Sequence, residues 1–375
     1  VKSKSTTIWD YTTASGLFIV AYHVALVIGL PLYLYHRAPG AGLVAASIAL
    51  LFLTEIGIGA AYHRFYAHRA YSLSKPAEAV LLFLATLACQ GSALRWSFEH
   101  RLHHTHVDTD DDPYAITKGF WYAHMLWLFD PPRPIEARRV RDLLDNRLVM
   151  AQHDHYGLFS MGGNVLVWLL VGWLCSDYLG AFVLAWWTRL FVSHHLTWFV
   201  NSLAHCWGAR TYSRDHSARD NHILAFLTVG EGYHNYHHTF ASDYRNGVRW
   251  YHFDPVKWLV WTLSRVGLAA NLRRHSPYAI RRRLLLEDRK FLLQRLTDLA
   301  PDAAARLERR VHELSEMIHK RIDRMRELAD DLQRLKAANA RSTLAKVRRE
   351  LRELHHTLRR DWQSWTQLSD LILQT

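Results

Sequence analysis

Two stretches of this chain carry three histidines at the same spacing: Glu99-His100-Arg101-Leu102-His103-His104 and His234-Asn235-Tyr236-His237-His238. On a helix, positions i, i+3 and i+4 share one face, so each stretch presents three imidazoles to a common point. Imidazole is the commonest side-chain metal ligand near neutral pH, because its neutral form is abundant without desolvating a charge. Two further groups extend the pattern, His63 with His68, and Asn201 with His205 at i and i+4. A spacing of five is about 140° on an ideal helix. His63 and His68 therefore share one ion only if the helix ends or tightens between them. Nine histidines and one amide are too many for one ion and fit two.

Almost purely nitrogen donors suit Fe, Cu, Zn or Ni. A hydrolytic zinc pair would recruit carboxylates as bridges and base, whereas Glu99, Asp108, Asp110 and Glu231 flank the histidine groups instead. They are placed as outer acceptors that orient imidazole N–H groups. Asp110–Asp112 before Pro113 reads as a turn and cap. His23, His124, His153, His155, His194 and His195 read as packing histidines with satisfied ring nitrogens. The chain has 25 histidines but only three cysteines, Cys89, Cys175 and Cys206, without CxxC spacing. A disulfide framework or structural zinc site is thereby disfavoured; Cys206, next to His205, reads as a small buried residue.

The elements that must position these groups are apolar helices. Leu17–Tyr35 is an uncharged run of the length a spanning helix needs, with Pro31 bending its end. A second span, 42–62, contains Glu55, a carboxylate that must face protein at membrane depth. Residues 76–95 read as one interfacial or buried amphipathic helix. Spans at 156–175 and 179–205 form a second hairpin. The short outer links carry almost no Lys or Arg, so the positive-inside rule places both termini and every histidine group in the cytoplasm. Val1–Asp10 is polar and does not resemble a cleavable leader. The fold expected is an all-α integral membrane protein of four spans with a cytoplasmic helical cap over residues 1–275. Residues 281–375 form a separate extension holding 22 Lys and Arg against 15 Asp and Glu, thus +7 of the net +12. That basic balance suits an anionic membrane surface or acidic partner rather than nucleic acid. In the extension, Val311, Leu314 and Ile318, then Met325, Leu328, Leu332 and Leu335, then Leu344, Val347, Leu351, Leu354 and Leu358 recur at helical spacing. They predict a coiled-coil-like hairpin, broken at Ala337–Thr343 with Ser342 or Thr343 as N-cap.

His63-Arg-Phe-Tyr-Ala-His68, Glu99–His104 and Gly230-Glu-Gly-Tyr-His-Asn-Tyr-His-His238 resemble the three histidine boxes of the membrane fatty acyl desaturases. Trp198-Phe-Val-Asn-Ser-Leu-Ala-His205, Asp110-Asp-Asp-Pro-Tyr114 and Lys118-Gly-Phe-Trp-Tyr-Ala-His124 resemble the acyl-CoA Δ9 (stearoyl-CoA) branch. The likeness runs over roughly residues 10–275. It implies two Fe ions (Fe2+/Fe3+) held by His63, His68, His100, His103, His104, His205, His234, His237 and His238, with Asn201 reaching one through water. It also implies O2 as co-substrate and a bent acyl tunnel lined by Gln90, Trp96, Thr197 and Trp198. Unactivated C–H bonds offer nothing to acid–base catalysis, so a cofactor must carry that step.

Phe98 stands where animal acyl-CoA desaturases have Arg, and Phe129-Asp-Pro-Pro-Arg-Pro134 stands where they have a basic pair, so the carrier is open between CoA and phospholipid. No cytochrome b5-like segment is evident. A separate donor, ferredoxin-type or other, is expected to supply electrons, docking on the basic extension or on Arg138–Arg141. The function expected is insertion of a cis double bond at Δ9 into a saturated acyl thioester or lipid, in a bacterial inner membrane. The rivals are a lipid or alkane hydroxylase on the same scaffold and a membrane metal transporter or sensor.

Overall fold

The structure, a computed structural model, describes residues 8–297, 301–338 and 341–374, without the side chains of 8–15, 341 and 342. Val1–Thr7 and positions 339 and 340 lie outside the described residues. The chain is mostly helical and divides into two units, 1–211 with 215–274, and 212–214 with 275–375.

The first unit opens with α1 (Ile8–His36), which continues through Pro31, and α2 (Ala41–Gly57), which runs on without a break as a π-helix to Ala67. Gly16–His36 and Ala41–Ala67 are long and apolar enough to cross a membrane. A third candidate is bent: α7 (Arg147–Asp154) meets the helical run Leu158–Leu174 at 87°. The segment expected to span at 179–205 is helical from α9 (Tyr178–Gly180) through a π-stretch into α10 (Arg189–Asn201). It breaks at Ser202 before α11 (Leu203–Cys206).

Between these helices, residues 76–95 are not one helix. α3 (Lys75–Thr86) starts on Ser74 with Pro76 in its first turn, and ends at a turn where Cys89 and Gly91 adopt positive φ. α4 (Ala93–His106) then begins afresh on Ser92, whose Oγ accepts from the Arg95 N–H. The buried Glu78 of α3 is satisfied by Tyr66, Lys75 and Asn146, as a carboxylate without water must be. α5 (Phe120–His124) and α6 (Ala137–Leu144) precede α7, and α8 (Gly163–Leu174) ends the bent run. α12 (His222–Leu227), α13 (His234–Thr239) and α14 (Pro255–Arg265) complete the unit. β1 (Ser72–Leu73) and β2 (Ala269–Ala270) pair antiparallel, Ser72 opposite Ala270, and tie its distant ends together. The main core joins the π-helix, α3, α4, α6 and α14, with Tyr62, Leu94, Phe98 and Val256 buried in it. Phe98 is therefore interior, not a surface position.

The second unit contains α15 (Pro277–Leu296), α16 (Pro301–Ala337) and α17 (Arg341–Gln374). Leu285 and Leu292 share one core with Val311, Ile318, Met325, Leu358 and Trp365, so three helices pack where the periodicity suggested two. The expected break at Ala337–Thr343 lies partly outside the described residues; α16 ends at Ala337, and α17 already includes Ser342 and Thr343, so neither is its N-cap.

Candidate metal centre

The second span delivers the first two histidines by an irregularity. From Ile58 to Ala67 the helix is π, closed by i→i+5 hydrogen bonds, and the His68 N–H bonds the His63 carbonyl at 3.1 Å. Residues five apart are thereby brought onto one side, and the rings stand 4.9 Å apart, centroid to centroid. The helix widens rather than tightens. α4 and the single-turn α13 then present their triplets across from it, and α11 adds His205.

All nine histidines meet in two sets: His63, His68, His100, His104 and His237, and His103, His205, His234 and His238. Within each set the facing nitrogens lie within 4.8 Å of one another. His63 and His237 approach Nε2 to Nε2 at 3.0 Å, His68 and His100 at 2.9 Å, and His237 and His104 at 2.9 Å. In the other set, His103–His238 is 3.2 Å, and His234 lies 3.1 Å from both His205 and His238.

Outer partners set the rings. His63 Nδ1–H donates to Glu231 at 2.6 Å, and His103 Nδ1–H to Asp112 at 2.9 Å. With the proton on Nδ1, Nε2 carries a lone pair aimed inward. Clustered lone pairs about 3 Å apart repel unless a cation sits among them; donors about 2.0–2.1 Å from one ion and at right angles have that separation. The donor set fits a metal in each cluster. Burial first, and then charge on neighbouring rings, holds His68, His100, His104, His234, His237 and His238 well below the ordinary imidazole range. Ligation needs that neutral form.

Of the four carboxylates expected around the rings, Glu231 is the one in contact. Burial would raise its pKa, but Arg64 and His63 outweigh that and hold it down to about 2. Asp108 lies one step back: it accepts from Ser217, whose Oγ meets His205 Nδ1 at 2.6 Å. Glu99 turns away to Arg95 at 3.7 Å, and burial pushes its carboxyl up to about 7. Asp110 is exposed. Asn201 ends α10 and is not brought into hydrogen-bond contact with a box imidazole. Sequence reasoning missed Asp112, assigned only to a turn, together with Ser217 and Tyr114, whose hydroxyl meets His100 Nδ1 at 3.2 Å. Tyr114 lies two residues beyond Asp112, and Asp112 Oδ1 also accepts the Tyr114 N–H, so the acidic turn itself was the signal. Of the four residues expected along the tunnel, two are bonded to each other and one stacks on a cage histidine. Gln90 Nε2–H donates to Thr197 Oγ1 at 2.8 Å, Trp96 stacks on His100 at 4.8 Å, and Trp198 is buried.

The sequence profile of the family described as "Fatty acid desaturase" matches residues 38–271, a stretch that holds every one of these histidines. The chain belongs to that family. It is 39% identical over 277 residues to a probable acyl-CoA desaturase of Schizosaccharomyces pombe, covering 72% of this chain and 58% of the relative. To acyl-CoA desaturase 1 of Saccharomyces cerevisiae it is 36% identical over 281 residues, covering 73% and 53%. To the sn-2 palmitoyl-lipid 9-desaturase of Nostoc sp. it is 35% identical over 230 residues, covering 60% and 78%. This desaturase-family chain thus spans little more than half the length of the two yeast relatives.

Proposed function

We propose that the chain is an O2-dependent fatty acyl desaturase that inserts a cis double bond at Δ9 into a saturated acyl chain carried as a CoA thioester or a membrane lipid. The observation that carries this reading is the convergence of nine Nε2 atoms in two adjacent sets. One iron would be held by His63, His68, His100, His104 and His237, the other by His103, His205, His234 and His238, with Asn201 contributing through water. The iron pair, when bound, supplies the O2-dependent oxidation that no side chain can perform. The protein's own part is positional. Glu231 and Asp112 fix ring tautomers, and Trp96, stacked on His100, together with the Gln90–Thr197 bond, presents the acyl methylenes. That placement selects which carbons react. Four spans, including 156–175 and 179–205, put both termini and the cage on the cytoplasmic face of a bacterial inner membrane on this reading, and electrons come from a separate ferredoxin-type or other donor.

Expression in a desaturase-deficient bacterium or yeast, followed by lipid mass spectrometry with derivatisation of double bonds, tests the reading. A new Δ9 alkene is expected, lost in His104→Ala and His238→Ala together with bound iron. A hydroxy lipid without alkene would assign the hydroxylase, and full turnover in either variant would overturn the site assignment.

A further inference from the structure

Several arginines of α15 and α16 find carboxylates inside the second unit. Arg289 pairs with Glu316 at 3.1 Å, Arg324 with Glu350 at 2.8 Å and with Glu327 at 3.1 Å, and Arg321 with Asp361. Arg310 and Arg334 stand 3.9 Å from Glu313 and Asp331. One face of α17 differs. Arg348, Arg349, Arg352, Arg359 and Arg360 are all exposed, and among the described residues none of the five pairs with a carboxylate. At about 100° and 1.5 Å per residue, the five fall within an arc of about 120° and run about 18 Å along the helix. His355 and His356, also exposed, lie between them. Glu353 stands at the edge of the row and pairs with none of its members. The opposite face of α17 puts Leu351, Leu354, Leu358 and Trp365 into the three-helix core. Like charges three or four residues apart, as in Arg348–Arg352 and Arg349–Arg352, repel. The packing of the unit therefore gains nothing from the row and is opposed by it.

A row of unpaired guanidiniums calls for an anionic surface, and what the row lacks decides which kind. A protein interface is built on a central apolar patch with anchoring side chains, ringed by polar groups. Between Arg348 and Arg360 the apolar side chains are Leu351, Leu354 and Leu358, and all three face the core. A lipid headgroup surface needs no apolar anchor, because each Arg near it adds its own attraction. The connection favours lipid as well. Only His275 and Ser276 separate Arg274, the last residue of the first unit, from the start of α15, and the first unit holds the helices long and apolar enough to cross a membrane. A tether that short makes contact with the membrane an intramolecular event and raises its effective concentration.

We propose that the Arg348–Arg360 face of α17 is a docking surface for anionic phospholipid headgroups of the membrane that holds the first unit. Each guanidinium offers a planar fork of N–H donors to phosphate oxygens. The face adsorbs by charge and does not insert, since the apolar side of α17 stays in the core. It is therefore sensitive to salt. The inference rests on the chain being a membrane protein and not on the reaction it catalyses, so the desaturase reading can fail without it.

The test uses the full chain in nanodiscs, with His356 replaced by p-benzoylphenylalanine. That photoreactive side chain sits one turn from both Arg352 and Arg360 and captures whatever touches the row; mass spectrometry identifies the adduct. Lipid adducts should rise at least about fivefold when phosphatidylglycerol is added to phosphatidylcholine discs, the factor that one arginine's attraction to an anionic surface supplies. The rise should disappear in about 1 M salt, where the screening length falls to about 3 Å. It should also disappear when Arg348, Arg349, Arg352, Arg359 and Arg360 are all changed to Gln. Changing the paired Arg289, Arg310, Arg324 and Arg334 to Gln should leave it in place; an equal loss there would overturn the assignment to this face. Equal lipid adducts in both kinds of disc, or none in either, would overturn the docking surface. Adducts to an acidic ferredoxin added to the same discs, without a rise in lipid adducts, would overturn it too and give the row to a protein partner.

Discussion

Glu231 Oε2 accepts the Nδ1 proton of His63 at 2.6 Å, and the opposite nitrogen of that ring faces His237 across 3.0 Å. The carboxylate does more than orient one ligand. Its other oxygen takes Arg64 Nη2 at 2.9 Å, and Asn246 donates to Oε2 at 2.7 Å. Three donors converge on one buried anion, so Glu231→Gln would set its amide N–H against one of them. Loss of an outer acceptor of this kind typically lowers metal affinity about 10–100-fold. Ferrous iron titration against a competing chelator should read that loss. Unchanged affinity would mean that packing alone orients His63.

How much of this was legible depended on whether the signal was local. The nine histidines were, because their chemistry and spacing sit in short windows. The π-helix was not: nothing in Ile58–Ala67 announces a change of helical register beyond the awkward five-residue step from His63 to His68. Asp112 and Ser217 were missed as ring partners because tertiary approach decides which nitrogen they meet. Glu99 was chosen for adjacency in sequence, yet on a helix a neighbour of His100 points about 100° away, toward Arg95. Residues 76–95 read as one helix because apolar composition continued through the turn at Cys89 and Gly91. The extension read as a hairpin because α15 has a much weaker apolar stripe than α16 or α17.

Asp254 is the second anion under the cage. It is wholly buried, pairs with Arg64 at 3.0 Å, and accepts the N–H groups of Asn246, Gly247 and Lys257. Arg64 is equally buried, so Asp254→Ala leaves a guanidinium half-neutralised in the interior. Breaking one partner of a buried pair costs on the order of 3–5 kcal/mol. Denaturant or thermal unfolding in detergent should show that loss, and a change under about 1 kcal/mol would contradict it.

Gly59 lies in the π-helix where no side chain fits. A Cβ there would stand 2.9 Å from both Glu231 Oε1 and Val256 Cγ2. Gly59→Ala should therefore cost about 1–3 kcal/mol by overpacking and, by displacing Glu231, weaken iron binding as well. Gly29→Ala is the matched control, since its Cβ would meet nothing within 4 Å. Iron titration of the two variants should separate them; equal behaviour would remove Gly59 from the account of the cage.

In the second unit, Ile318 is fully buried at the centre of the three-helix core. Ile318→Ala removes buried methyl groups and leaves a cavity, at a cost of about 2–5 kcal/mol. The unfolding transition of that unit should move to lower temperature while iron content stays the same. A parallel loss of iron would mean that the extension supports the cage.

Thr197 accepts from Gln90 Nε2 at 2.8 Å, joining α10 to the turn after α3 across 107 residues. If these residues border the acyl path, the bond holds two of its walls in register. Thr197→Val keeps the shape but removes the acceptor, leaving a partly buried amide N–H unpaired at a cost of about 1–3 kcal/mol. On that reading the walls lose a restraint on which methylenes lie beside the histidine cage. The cage itself is untouched, because neither residue contacts a box imidazole. Thr197→Val should therefore keep its iron and its O2 uptake while the double bond spreads to neighbouring positions. Mass spectrometry of derivatised lipids measures that spread. A single unchanged position would show that the Gln90–Thr197 bond does not set the register of the acyl chain.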